Sequence, residues 1–155
     1  MTPPSPIHRT SSAATAAAWF LGLYGLLEFV PGLVHFLLPD GGARVIAGLD
    51  LAHHGHVIIG VFAWVGAVQI AHGLGLLAVA AWCRPLVPVF LALALLERLL
   101  MSVAAWVTKP SPTGHHPPEH YASPLLVPLL ALFLALAIRG RHGRHVPMAS
   151  TQSRG

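Results

Sequence analysis

The sequence predicts an all-α integral membrane protein, built as a bundle of four membrane-spanning helices. Hydrophobic residues make up 55% of the 155 residues and charged residues only 9%, whereas a typical soluble domain carries about 25% charged residues. The apolar residues are concentrated in four long Leu- and Ala-rich segments, each close to the roughly 20 residues needed to cross a hydrocarbon core. None shows the period-two alternation of β-barrel strands. This composition excludes a soluble globular enzyme and a wholly disordered chain.

Four segments satisfy the length requirement for a span. They are residues 13–38, 56–82, 85–107 and 121–138. The first is not a cleavable signal peptide, because it is too long and carries Glu28, Pro31 and His35. The fourth is the shortest and contains no ionisable residue, so we expect it at the periphery, mostly facing lipid. Residues 1–12 and 139–155 are expected to be flexible tails.

The connections between the spans predict the topology. Only Cys83 and Arg84 separate the second and third spans, which indicates a tight antiparallel hairpin. The longer connections, 39–55 and 108–120, then lie on one face of the membrane, and both tails lie on the other. The basic residues of the tail face are Arg9, Arg84, Arg139, Arg141, Arg144 and Arg154, against Arg44 and Lys109 on the loop face. The positive-inside rule therefore predicts cytoplasmic termini in the cytoplasmic (inner) membrane, with extracytoplasmic loops.

The net charge of +4 does not indicate a nucleic-acid partner. The basic residues are spread along the chain, and no basic stripe alternates with aromatic residues. The lipid bilayer is the predicted partner, together with further copies of the chain or other membrane subunits. Ala63, Ala67, Ala71 and Gly75 follow one another at a spacing of four residues. This row of small residues is expected to let another helix approach closely.

Polar residues occur near the centres of the first three spans. They are Glu28 in the first, Gln69 and His72 in the second, and Glu97 and Arg98 in the third. An ionisable group inside a span costs several kcal/mol unless it is paired or hydrated, so we expect these groups to satisfy one another in an intramembrane polar site. Two interpretations stay open: a proton relay or the polar end of a small-molecule pocket, and a structural network that fixes helix register.

Histidines are gathered in the regions assigned to the extracytoplasmic face. The motifs HHGH (53–56) and HHPPEH (115–120) account for most of them. The candidate metal ligands are His35, His53, His56, His115, His116 and His120. Imidazoles beside carboxylates suit Zn²⁺, Cu²⁺, Ni²⁺ or Fe²⁺, and a helix with Asp50 as N-cap would put His53 and His56 on one face. Solvated loop histidines are the alternative interpretation. Haem is a weaker candidate cofactor, since no feature favours pairing His35 with His54 or His56.

Several stretches resemble the DoxX-like group of small bacterial four-span membrane proteins. They are the Gly-rich first span (LGLYGLLEFVPGLVHFLLP), the Gly/Ala-rich second span (GVFAWVGAVQIAHGLGLL) and the charged pair within the third (LALALLERLLMSVAAW). The resemblance covers residues 13–138. It implies an accessory membrane subunit, in some members linked to thiosulfate or quinone redox chemistry. It transfers no catalytic residue, and the histidine groups depart from the pattern.

The sequence leaves three functions open. No GxSxG, P-loop, HExxH or GxGxxG motif is present, so no enzymatic activity is predicted. The first function is an accessory or interaction subunit that supports redox or quinone chemistry. The second is a metal-binding membrane protein that uses the histidine groups. The third is a proton-coupled carrier, as an oligomer, that uses Glu28, His72, Glu97 and Arg98.

Overall fold

A computed structural model describes residues 12–142, which form four α-helices and contain no strand. The helices are α1 (Ser12–Leu37), α2 (Gly55–Trp82), α3 (Val87–Val103) and α4 (Pro118–His142). One turn of 3-10 helix, Arg84–Leu86, leads into α3, and a π-helical turn, Ala104–Thr108, follows it. All four helical stretches are long and apolar enough to cross a membrane. The all-helical class is therefore confirmed within the described residues, as is the number of helices long and apolar enough to span.

The observed bounds match the predicted spans closely except at α4. The first three stretches begin and end within one residue of the predicted positions. Helix α4 instead begins at Pro118 and has 25 residues. Its candidate span, Pro118–Gly140, has 23 residues and is the shortest of the four, which confirms that prediction. Proline suits the first position of a helix because its missing N–H would have no partner there, and Glu119 then follows at the positive end of the helix dipole.

The predicted tails fall mostly outside the described residues. Residues 1–11 and 143–155 lie outside them. Residues 139–142, assigned to the C-terminal tail from the sequence, are instead the last turn of α4.

Helix α1 holds the bundle together. It packs against α2 along one side and against α4 along another, and α4 also packs against α3. The rings of Phe20 and Phe133 stack between α1 and α4, with centroids 4.0 Å apart. Helix α4 is not the most exposed helix: 17% of its most apolar stretch is buried, against 11% for α2. Its packed face is buried at Leu130 and Ala137. Helices α2 and α3 contact each other little, although a tight turn joins them.

Four glycines form the contact between α1 and α2. A Cβ added at Gly73 would lie 2.7 Å from the Phe29 nitrogen, and one at Gly66 would lie 2.7 Å from the Gly32 carbonyl oxygen. Gly32 and Gly25 are only slightly less tight against α2, with nearest contacts of 2.9 and 3.0 Å. The predicted row of Ala63, Ala67, Ala71 and Gly75 is not this contact face. Ala67 and Ala71 are exposed, and a Cβ at Gly75 would meet nothing within 4 Å.

Both long connections lie at the same end of the bundle, called here the loop end. His115 Nε2 donates to the carbonyl of Ala47 at 2.7 Å, which ties the second connection to the first. Asp40 begins the first connection and accepts from the backbone nitrogens of Gly42 at 2.9 Å and of Arg44 and Val45 at 3.2 Å. These bonds, that from Gly42 above all, hold the pKa of the Asp40 carboxyl below its usual range.

Candidate functional site

The buried guanidinium of Arg98 is the centre of a polar network between α1, α3 and α4. Its terminal nitrogens form ion pairs with Glu28 of α1 and Glu119 of α4. Its Nε donates to the Tyr24 hydroxyl at 2.6 Å, and a terminal nitrogen donates to Ser123 Oγ at 3.2 Å. We call these five residues the Arg98 network. The five donors of a guanidinium suit it to join three helices in this way.

Burial differs sharply within the Arg98 network. The side chains of Glu28 and Arg98 are 1% and 3% exposed, whereas that of Glu119 is 44% exposed. The Arg98 guanidinium also lies 5.4 Å from the centroid of the Tyr24 ring, within the range of a cation–π contact. The network therefore connects a fully buried carboxylate to one that reaches the surface in the first turn of α4.

A second polar group lies on the opposite side of Glu28, towards α2. His72 Nδ1 is 3.6 Å from Glu97 Oε2, and both side chains are about one-third exposed. One ligand atom each from Glu28, His72 and Glu97 lie within 4.8 Å of one another. The predicted intramembrane site is thus divided: Arg98 faces α4, Glu97 faces His72 on α2, and Glu28 lies between them.

A cleft of about 380 Å³ opens beside this second group, where α2 and α3 diverge. Its walls are apolar, formed by Trp64, Val65 and Val68 of α2 and by Met101 of α3, and its polar lining comes from Glu28, Gln69 and Glu97. Two acceptors there, Gln69 Oε1 and Glu97 Oε2, are buried and meet no hydrogen-bond donor in the part of the chain that the structure describes. The cleft therefore offers apolar walls and a floor with unsatisfied acceptors.

Three members of the Arg98 network, Tyr24, Glu119 and Ser123, were not predicted as site residues from the sequence. Glu119 was assigned to the loop because the fourth span was predicted to begin at residue 121. The signal was available: Pro118 followed by an acidic residue is typical of a helix N-terminus. From that start, Glu119 and Ser123 are four residues apart and share a helix face.

The histidines of the loop end do not form one cluster. His116 Nδ1 and His120 Nδ1 are 3.0 Å apart, beside the Trp106 ring that stacks on His116. His35 Nδ1 donates to the carbonyl of Gly41 at 2.6 Å, while His53 and His56 are exposed. Within residues 12–142, Glu28, His72 and Glu97 form the one group of three candidate ligands close enough to share an ion. Metal binding at the loop end stays a prediction.

The start of α2 differs from the expectation that placed His53 on the helix. Asp50 accepts from the backbone nitrogen of Ala52 at 2.9 Å and so caps the turn before the helix. His54 is the N-cap of α2, in the left-handed conformation with φ 59° and with no side-chain hydrogen bond. His53 therefore precedes the helix and does not share a helix face with His56.

Comparison with known proteins adds no relative: no protein-family model, curated protein or solved structure matches the chain.

Proposed function

We propose that the chain is a four-span protein of the cytoplasmic membrane whose cleft binds a lipophilic molecule with a hydrogen-bond-donating head, of the quinol class. In this role it is an accessory subunit of a membrane redox partner. The observation that carries the proposal is the cleft itself, with apolar walls and two buried acceptors, Gln69 Oε1 and Glu97 Oε2, that lack donors. The resemblance to the DoxX-like group, seen in the sequence alone, is consistent with an accessory role.

The exposed surface supports the membrane part of the proposal. Large apolar side chains cover the outside of all four helices, among them Leu23, Val68, Leu100 and Leu125. Only 11% of the most apolar stretch of α2 is buried. Soluble monomers rarely expose contiguous apolar patches above a few hundred Å², whereas lipid tails solvate such a surface.

The proposed orientation places the loop end outside and the Cys83 turn inside. Cys83 is the one cysteine in the sequence and is exposed, so it reports directly on its side of the membrane. A membrane-impermeant maleimide should label Cys83 only after the cells are permeabilised. A Cys83→Ser/Ser111→Cys variant, with the thiol at the loop end, should be labelled in intact cells. The reverse pattern would overturn the orientation.

The chemistry of the cleft favours a ligand that donates hydrogen bonds. A buried acceptor without a donor costs about 1–3 kcal/mol. A hydroxyl group that donates to Gln69 Oε1 or to Glu97 Oε2 would remove that cost for the acceptor it contacts. A quinol carries two hydroxyl groups on an apolar ring, whereas the oxidised quinone carries only acceptors. The cleft should therefore prefer the reduced form of such a molecule.

Calorimetry on the protein in lipid nanodiscs, kept metal-free with a chelator, tests this preference. A short-chain quinol should bind about tenfold more tightly than its quinone, the value of roughly one net hydrogen bond. Gln69→Leu should remove most of that difference. Leu74→Ala, an exposed α2 position that does not line the cleft, serves as the matched control.

The location of the ligand is tested by the emission of Trp64, which lines the cleft. In a variant with Trp19, Trp82 and Trp106 replaced by phenylalanine, quinol binding should shift the Trp64 emission. Equal affinity for the quinol and the quinone, or an unchanged Trp64 spectrum at saturation, would refute the proposed function.

A further inference from the structure

We propose that Glu28, His72 and Glu97 bind one divalent first-row transition-metal ion, such as Zn²⁺, Mn²⁺ or Fe²⁺, at the floor of the cleft. The site goes beyond the proposed function, since its three ligands require no organic molecule. It also differs from the histidine sites of the loop end, because only one of its ligands is a histidine.

The spacing of the three side chains fits a single ion. Their ligand atoms come from three different helices, α1, α2 and α3, and lie within 4.8 Å of one another. In a tetrahedral zinc site, bond lengths near 2.1 Å put neighbouring ligands roughly 3.4 Å apart. The 3.6 Å between His72 Nδ1 and Glu97 Oε2 is already close to that distance, yet is too long for a hydrogen bond between them.

The charges around the site also favour a divalent cation. Glu28 and Glu119 share the single guanidinium of Arg98, and Glu97 lies beside Glu28 and His72 with no guanidinium of its own. With ionised carboxylates and a neutral His72, these groups carry a net charge of about −2, part of it on Glu119 at the surface. The remaining charge, on Glu97 beside Glu28, is unfavourable in an apolar interior without a counter-ion. One divalent ion balances it. The alternative is that protons on His72 and on one glutamate balance the charge. Measuring zinc uptake distinguishes a bound ion from bound protons.

The unsatisfied acceptors provide an independent indication. Glu97 Oε2 is buried and meets no donor in the described part of the chain, although it lies beside the other two ligands. Gln69 Oε1, three residues before His72 on the same face of α2, is buried and without a donor as well. Carboxylate oxygens together with an imidazole match the preferences of Zn²⁺, Mn²⁺ and Fe²⁺.

Zinc uptake by the full-length chain tests the site. The protein in nanodiscs is stripped with a chelator, dialysed against buffered Zn²⁺ without any quinol, and measured by elemental analysis. We expect one tightly held ion per chain. His72→Ala and Glu97→Gln should each weaken its binding by at least about 100-fold, because loss of a direct ligand exceeds the 10–100-fold effect of an outer-shell partner.

The matched control is the quadruple variant in which His53, His56, His116 and His120 are replaced by alanine. It should keep the tight ion. Loss of the ion in this variant, normal binding by His72→Ala, or no uptake by the wild type would each overturn the proposal. The last result would favour protons as the balancing charge.

A spectroscopic measurement needs none of the ligand variants, in case these fail to fold. Co²⁺ bound by one nitrogen and carboxylate oxygens should give visible d–d bands without thiolate charge transfer, and Zn²⁺ should displace them. The bands should persist in the quadruple histidine variant. Their absence from the wild type would refute the site. Because the quinol experiment is performed with a chelator present, failure of either proposal leaves the other standing.

Discussion

Glu28 and Arg98 form an almost completely buried ion pair that joins α1 to α3, 70 residues apart in the chain. Helices α1 and α3 otherwise contact each other little. The pair, extended to α4 through Glu119 and Ser123, therefore supplies a specific link between helices whose other contacts are apolar and nondirectional. Such a link fixes the depth and rotation at which the helices meet.

Removing Arg98 should destabilise the protein far more than removing another arginine. Arg98→Ala leaves Glu28 buried without its counter-charge, and breaking one partner of a buried pair typically costs about 3–5 kcal/mol. The exposed Arg84, in the turn before α3, is the matched control, and its replacement by alanine should change stability by less than about 0.5 kcal/mol. Equilibrium unfolding in mixed micelles with SDS measures both.

A double variant separates the stranded charge from lost packing. If the cost of Arg98→Leu arises mainly from the unpaired Glu28, then Glu28→Leu/Arg98→Leu should regain a large part of the stability. Replacement of a buried pair by apolar groups is often neutral. Equal losses for Arg98→Ala and Arg84→Ala would contradict a structural role for the network.

Alanine at two nearby glycines of α2, Gly73 and Gly75, should change stability in opposite directions. Alanine at Gly73 would put its Cβ 2.8 Å from the Gly25 carbonyl oxygen, so the helices must separate. Overpacking of this kind costs about 1–3 kcal/mol. At Gly75 the added Cβ meets nothing, and Gly75→Ala should stabilise α2 by about 0.5–1 kcal/mol through lower chain entropy. A gain in stability with Gly73→Ala would show that the contact is looser than described, and a loss with Gly75→Ala would contradict the open space at that position.

The sequence was sufficient to predict where the helices lie in the chain, but not how they pack against one another. Long apolar runs bounded by Pro, Gly and charged residues defined three helical stretches to within one residue. The polar residues of these spans were visible because ionisable groups are rare in such runs. The contact face of α2 was not predicted, because alanine and glycine recur at several spacings along it and only the partner helix selects Gly66 and Gly73.

The partners within the polar site depended on rotation, which sequence spacing leaves undetermined. Glu97 and Arg98 are adjacent on α3, so they point in directions about 100° apart. That angle sends Arg98 towards α4 and Glu97 towards α2. The sequence alone does not state whether Glu97 or Arg98 faces Glu28. Glu28 lies between both groups because of how α1 packs against α2 and α4.

The turn at Asp40 should weaken in acid. The pKa of its carboxyl is lowered from 3.8 by bonds that only the charged form accepts well, so the stabilisation is complete above pH 3.8 and is lost as the pH falls through the lowered value. Hydrogen exchange at the amides of Gly42, Arg44 and Val45 should therefore show protection that declines below that pH, beyond the intrinsic change in exchange rate. Asp40→Asn should remove the pH dependence, and unchanged protection in that range would contradict the assignment.

The left-handed His54 predicts a site where a single glycine stabilises the chain. Among the described non-glycine residues, His54 alone has a positive φ, and its side chain is exposed and caps nothing. An L-residue in that conformation costs roughly 1–2 kcal/mol, which glycine does not incur. His54→Gly should therefore raise stability by up to about 1 kcal/mol, the remainder being lost to the greater freedom of glycine in the unfolded chain.

His53→Gly is the matched control. His53 is also exposed but has no positive φ, so glycine there only increases the freedom of the unfolded chain and should lower stability slightly. Thermal unfolding of the two variants in one detergent decides the point, because a gain at His53 or a loss at His54 would place the strain elsewhere in the connection to α2.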